Sequence, residues 1–106
     1  MSILTQDKII ITLRGLQPTF KKEGVNLLGF FGSYSRNEAK ENSDIDILIE
    51  TTPKFMENNI GLRAYSKLNE LKLILANKFK KQVDIVDKKG LLDHNNIHIL
   101  SKAIYV

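Results

Sequence analysis

The stretch from Leu28 to Glu50 decides how the rest of the chain reads. It runs Leu28-Gly29-Phe30-Phe31, then Gly32-Ser33, then ten residues from Tyr34 to Ser43, then Asp44-Ile45-Asp46-Ile47-Leu48-Ile49-Glu50. The segment Val25 to Phe31 is short, apolar and bounded by glycine, the pattern of a buried strand. Gly32 permits a close approach to the backbone, and Ser33 is a good N-cap for a short polar helix expected over Tyr34 to Lys40. Such a helix start offers free N–H groups and the positive end of a dipole, which suit an anion such as phosphate. Asp44 and Asp46 stand two apart in a β-branched run. In a strand both then point to one face, while Ile45, Ile47 and Ile49 point to the other.

Two acids at this spacing beside a Gly-Ser turn suit a divalent cation and the phosphates it accompanies. Hard cations take oxygen ligands, and Mg²⁺ commonly uses one or two carboxylates plus substrate phosphates. The plain alternative is a loop and an edge strand with two solvated acids, in which turn, spacing and acid pair coincide by accident. Gly32-Ser33 followed by Asp44-x-Asp46 resembles the signature of the polymerase-β-like nucleotidyltransferases. The fuller run from Gly32 to Ala39 and on through Ser43-Asp44-Ile45-Asp46 is similar to one branch of them, the minimal nucleotidyltransferases (MNT).

Downstream, Thr51 to Asn59 reads as a loop with Pro53, followed by an amphipathic helix over Ile60 to Phe79 carrying Leu68, Leu71, Leu75 and Phe79 at three- and four-residue spacing. A helix of that length fits a crossover between parallel strands. Gln82 to Val86 reads as the next strand, with Val83 and Ile85 facing one way and Asp84 and Val86 the other. An unpaired carboxylate in an apolar strand is costly when buried, so Asp84 makes sense as a third acid sharing a cation with Asp44 and Asp46. Asp87 has the opposite parity and is expected to serve a turn or a cap. The tail reads as a short helix with Ile97, Leu100 and Ile104 on one side. His94 and His98, four apart, lack a third ligand and read as surface residues. Upstream, a helix from Thr5 to Arg14 with Thr5 as N-cap is expected to end near Gly15, with Pro18 opening a second helix that Gly24 terminates.

A chain of 106 residues makes one domain, spanning 1–106, with one modest core. The absence of cysteine removes disulfide frameworks and zinc–thiolate sites and points to a cytoplasmic setting. No apolar run approaches the roughly 20 residues of a membrane span, and no secretory leader pattern opens the chain. The net charge of +4 favours anionic ligands such as nucleotide phosphates, without a basic cluster dense enough for direct nucleic-acid binding.

The resemblance implies an α+β (α/β) fold of the polymerase-β-like kind, a small mixed sheet with helices packed on one face. It implies transfer of a nucleoside monophosphate to a hydroxyl, with Asp44, Asp46 and Asp84 as catalytic and metal-holding acids for two Mg²⁺ ions. Gly32 and Ser33, with Arg36 and Lys40 as charge partners, would bind the phosphates of ATP. MNT chains commonly act as antitoxins that add AMP to a tyrosine of a HEPN-domain toxin ribonuclease, so a HEPN toxin is the expected partner. Two alternatives stand beside this: an antitoxin that masks its toxin without catalysis, and a nucleotidyltransferase acting on RNA ends or a small molecule. The chain departs from the family at Asn37, where members commonly carry glycine, and at Asp93-His94-Asn95-Asn96, where many have arginine and glutamate.

Overall fold

The computed structural model describes residues 4–93 and 96–106. Its order is α1 (Gln6–Lys22), β1 (Val25–Phe31), β2 (Ile45–Thr51), α2 (Pro53–Asn58), α3 (Leu62–Phe79), β3 (Val83–Asp87), α4 (Lys88–Asp93), α5 (Ile97–Lys102) and β4 (Ile104–Tyr105). The four strands form one mixed sheet in the order β3-β2-β1-β4. β1 is antiparallel to β2 and β4, whereas β2 and β3 run parallel. The parallel pair requires a long return, and α2 with α3 supplies it.

One core cluster lies between the sheet and the two long helices. Ile9, Leu13 and Phe20 of α1 and Leu71 and Leu75 of α3 meet Val25, Leu27, Phe30, Ile45, Ile47, Ile49 and Val83. Leu48 has the parity of Asp46, is fully buried and stands outside that cluster. The short α4 packs on β2 and β3 and brings the buried Leu91, so the far end of the acid face is covered as well.

A β-bulge sets which aromatic residue enters the core. Leu27 pairs with Ile49 and Gly29 with Leu48, leaving Leu28 as an extra residue. The extra residue reverses the alternation, so Phe30 joins Ile47 on the core side and Phe31 pairs with Asp46 on the other. The bulge has its own partners: Gln17 donates to the Leu27 carbonyl and accepts from its N–H, and the Val106 N–H donates to the Leu28 carbonyl at 2.9 Å.

The structure corrects several boundaries read from sequence. α1 is one helix through Gly15 and Pro18, capped by the Thr5 hydroxyl as expected. Arg14 and Pro18 are both exposed, so the carbonyl deprived of its proline donor lies on the solvent side while Leu13, Leu16 and Phe20 hold the inner face. The segment expected as a loop at Thr51 to Asn59 contains α2, with Pro53 in its first turn. Ile104 belongs to a strand, not to a C-terminal helix. Asp87, expected to serve a turn or a cap, stands just ahead of α4, where it accepts from the Lys89 N–H at 3.0 Å and from the Thr51 hydroxyl at 2.7 Å.

Candidate active site

The centre of the acid face is Asp46. Its register partners are Phe31 on β1 and Asp84 on β3, so one carboxylate has the Gly32 turn on one side and a second carboxylate on the other. Asp44 sits just before β2 and is exposed. Burial raises the Asp46 carboxyl above its ordinary pKa, and the charges of Asp84 and Asp44 raise it further; the Arg36 guanidinium acts in the opposite direction. The three acids therefore share one electrostatic neighbourhood. Among the described residues, however, no three acid or imidazole groups form a ready-made metal cluster. Asp84 instead has the Lys72 ammonium 3.9 Å from its Oδ1.

Gly32 is required by position as well as by conformation. Its φ is +75°, and a Cβ built there would lie 2.2 Å from Asp46 Oδ2. Any side chain would push the carboxylate out of its place. The residues that follow form a turn, not the helix expected over Tyr34 to Lys40, and Ser33 is therefore not a helix cap. The Gly32 carbonyl accepts from the N–H groups of Ser35 and Arg36 and from the Ser35 hydroxyl, while the Ser33 carbonyl accepts from the Glu38 N–H at 2.8 Å. With the carbonyls so engaged, the N–H groups of Ser33 and Tyr34 and the Ser33 hydroxyl have no acceptor among the described residues. Free donors in a turn suit an anion without a helix dipole behind them.

Asn37 closes the turn with φ +58°. This is the left-handed conformation for which asparagine is the best substitute for glycine. The structure brings Arg36 into the electrostatic reach of Asp46, where its Nε also lies 3.3 Å from Glu38 Oε2. Lys40 is exposed, and its backbone N–H donates to the Ser43 hydroxyl at 2.8 Å. His98 is exposed on α5, and His94 lies outside the described residues.

Two residues that sequence reasoning passed over belong to this site. The Gln6 amide donates to the Tyr34 carbonyl at 2.8 Å and to the Ser35 carbonyl at 3.3 Å, tying the start of α1 to the turn. Lys72 reaches Asp84 from α3. Neither contact has a local signature, because each joins residues far apart in the chain.

The acid pair, the paired Asp46 and Asp84 positions and the donor-rich turn fit the chemistry of a nucleotide-binding site. The nucleotidyltransferase domain family matches residues 13–106. The chain is 34% identical over 107 residues to the protein adenylyltransferase MntA of Thermococcus cleftensis, covering 100% of both chains. A Methanocaldococcus jannaschii protein whose name provisionally assigns it the same activity is 40% identical over 89 residues, 84% of this chain and 81% of the relative. Among solved structures, a minimal nucleotidyltransferase superposes with a TM-score of 0.72 at 25% identity, over 100% of each chain. A toxin–antitoxin crystal structure with AMP-PNP superposes with a TM-score of 0.60 at 27% identity, over 96% of this chain and 72% of that one. This chain belongs to the nucleotidyltransferase domain family, as a minimal nucleotidyltransferase enzyme of the polymerase-β-like superfamily.

Proposed function

We propose that this chain is an antitoxin that transfers AMP from ATP to a tyrosine hydroxyl of a cognate HEPN-domain toxin ribonuclease and thereby silences it. The observation that carries the reading is the placement of Asp46 between the Gly32 turn and Asp84. Its similarity to a protein adenylyltransferase and to a toxin–antitoxin structure with AMP-PNP supports a protein acceptor and an adenine nucleotide.

In this reading the Ser33 and Tyr34 N–H groups and the Ser33 hydroxyl hold the β and γ phosphates, and Arg36 adds charge beside them. Lys40 is a more distant charge partner. Asp44, Asp46 and Asp84 would hold Mg²⁺. The raised pKa of Asp46 fits that role, since crowded carboxylates favour a cation among them. Bound Mg²⁺ would neutralise charge on the attacking and leaving oxygens of an in-line displacement. The tyrosine oxygen forms a bond to the α-phosphorus, the bond to the pyrophosphate oxygen breaks, and Asp84 takes the phenolic proton. AMP-tyrosine and pyrophosphate are the products.

The test mixes the chain, ATP, Mg²⁺ and its candidate HEPN-domain toxin. Mass spectrometry should find AMP added to a toxin tyrosine together with loss of ribonuclease activity, and the Asp44→Ala/Asp46→Ala double variant should leave the toxin unmodified and active. Equal protection by wild type and double variant, with no adduct in either, would replace this reading with an antitoxin that masks its toxin by contact.

A further inference from the structure

We propose that the groove between α3 and the outer edge of β3 seats an extended segment of the partner protein, the segment that carries the acceptor hydroxyl. The inference rests on the transfer reading above and adds the surface from which the acceptor arrives.

In-line displacement puts the attacking oxygen and the leaving pyrophosphate on opposite sides of the phosphorus. The sheet gives those two sides a fixed order. Across the acid face lie the Gly32 turn, then Asp46, then Asp84, and β3 is the last strand. Phosphates held by the turn place the leaving group on the β1 side, so the acceptor enters past Asp84. Beyond Asp84 lies a groove of about 240 Å³ lined by Tyr65, Leu68, Asn69, Lys72, Asp84 and Ile85. Asp84 thus belongs to both the site and the groove, and 57% of its side chain is exposed.

The groove has the character of a protein-binding surface. Leu62, Tyr65, Asn69, Lys72 and Leu73 recur at three- and four-residue spacing along α3 and so share one stripe. Leu62 is 87% exposed and Tyr65 76%, although both are large and apolar enough to be core residues elsewhere. Among the described residues β3 is bonded to β2 on one side only, which leaves its other edge able to pair with extended backbone. A tyrosine on a segment lying along that edge can reach Asp84 while its neighbours cover Tyr65 and Leu62.

The experiment compares wild type with Tyr65→Ala, Leu62→Ser, the conservative Tyr65→Phe and Ile11→Ser, an exposed apolar control on α1. Each is measured for toxin affinity by calorimetry, for KM and kcat of AMP incorporation into the toxin, and for Mg·ATP affinity. Tyr65→Ala and Leu62→Ser should raise the toxin Kd and KM about ten- to thirty-fold. ATP affinity and kcat should stay within about twofold of wild type, as should every parameter of Tyr65→Phe and Ile11→Ser. Unchanged toxin Kd and KM in Tyr65→Ala, at the groove, and in Leu62→Ser, on the adjoining stripe of α3, overturns the proposal. So does a parallel loss of ATP affinity, which would assign the groove to the nucleotide. Absence of AMP transfer by wild type defeats the transferase reading instead, and the toxin Kd of the groove variants then still decides whether this surface binds the partner.

Discussion

Ile45, Ile47 and Ile49 leave β2 toward one face and Asp46 toward the other, and the two sides of this short strand are held by opposite physics. On the core side the three isoleucines are at most 1% exposed and are stabilised by packing against α1 and α3. On the acid side a half-buried carboxylate presses against Gly32 with two more negative charges near it. The core side contributes stability. At the acid end of the other side, burial and the charges of Asp84 and Asp44 work against the ionised Asp46 carboxylate. Substitutions on the two faces should therefore separate activity from folding.

The largest separation is expected from Asp46→Asn. It keeps the side-chain shape beside Gly32 and removes the charge. AMP transfer should fall by about 10²–10³-fold or more, by analogy with the loss of a single electrostatic partner at other active sites, while the far-ultraviolet circular dichroism stays native. Transfer by this variant at near wild-type rate would remove Asp46 from the chemistry. Ile47→Ala, its neighbour on the other face, should do the reverse. It should lower unfolding free energy by about 2–5 kcal/mol in urea titrations. The variant that remains folded at low temperature should keep its Mg·ATP affinity.

Gly32→Ala tests whether the two faces meet at the turn. The left-handed backbone alone should cost about 1–2 kcal/mol. The new Cβ must also displace the Asp46 carboxylate, so activity should drop together with stability. A variant that lost stability and kept full transfer would mean that the contact between Gly32 and Asp46 serves the fold alone.

How much of this was legible in sequence divides along the same strand. Alternation identified both faces of β2, and the same rule put Asp84 on the acid side of β3 and Asp87 on the other. Local rules failed where distant contacts override them. Leu13, Leu16 and Phe20 carry α1 across Gly15 and Pro18, a tertiary gain invisible to a rule about proline. The Gly32 to Asn37 turn has the composition of a helix start, but its left-handed ends at Gly32 and Asn37 close it as a turn. The bulge at Leu28 has no composition signal; its backbone is satisfied by Gln17 and Val106 from elsewhere in the chain.

A smaller effect should appear in the pH dependence of folding. Asp46 is held above its ordinary value of 3.8, first by burial and then by Asp84 and Asp44. Between 3.8 and that raised value, the native chain binds a proton that the unfolded chain has released. Stability conferred by that proton is lost as pH rises through the window, and the full penalty is present above it. In metal-free buffer Asp46→Asn should therefore melt higher than wild type at neutral pH, and the difference should close once pH falls below 3.8. Added Mg²⁺ should narrow the gap by stabilising wild type alone. A wild type that melts higher than the variant in chelator at neutral pH would contradict the charge-crowding account of the acid face.

The smallest effect is expected at Asn37, a non-glycine residue held in the left-handed region. Its φ of +58° lies where glycine is free of steric cost and where asparagine is among the best tolerated of the other residues. Asn37→Gly relieves that residual strain but enlarges the conformational freedom of the unfolded chain, and the two contributions oppose each other at under about 1 kcal/mol each. The Glu38 N–H to Ser33 carbonyl bond that closes the turn is made by backbone and survives the change. Stability should then stay within about 0.5 kcal/mol of wild type and AMP transfer within about twofold. Asn37→Val is the contrasting case, since a β-branched residue resists the left-handed region and should loosen the turn that carries the Ser33 donors. If Asn37→Gly instead raised transfer severalfold, the asparagine would be limiting how the turn receives phosphate.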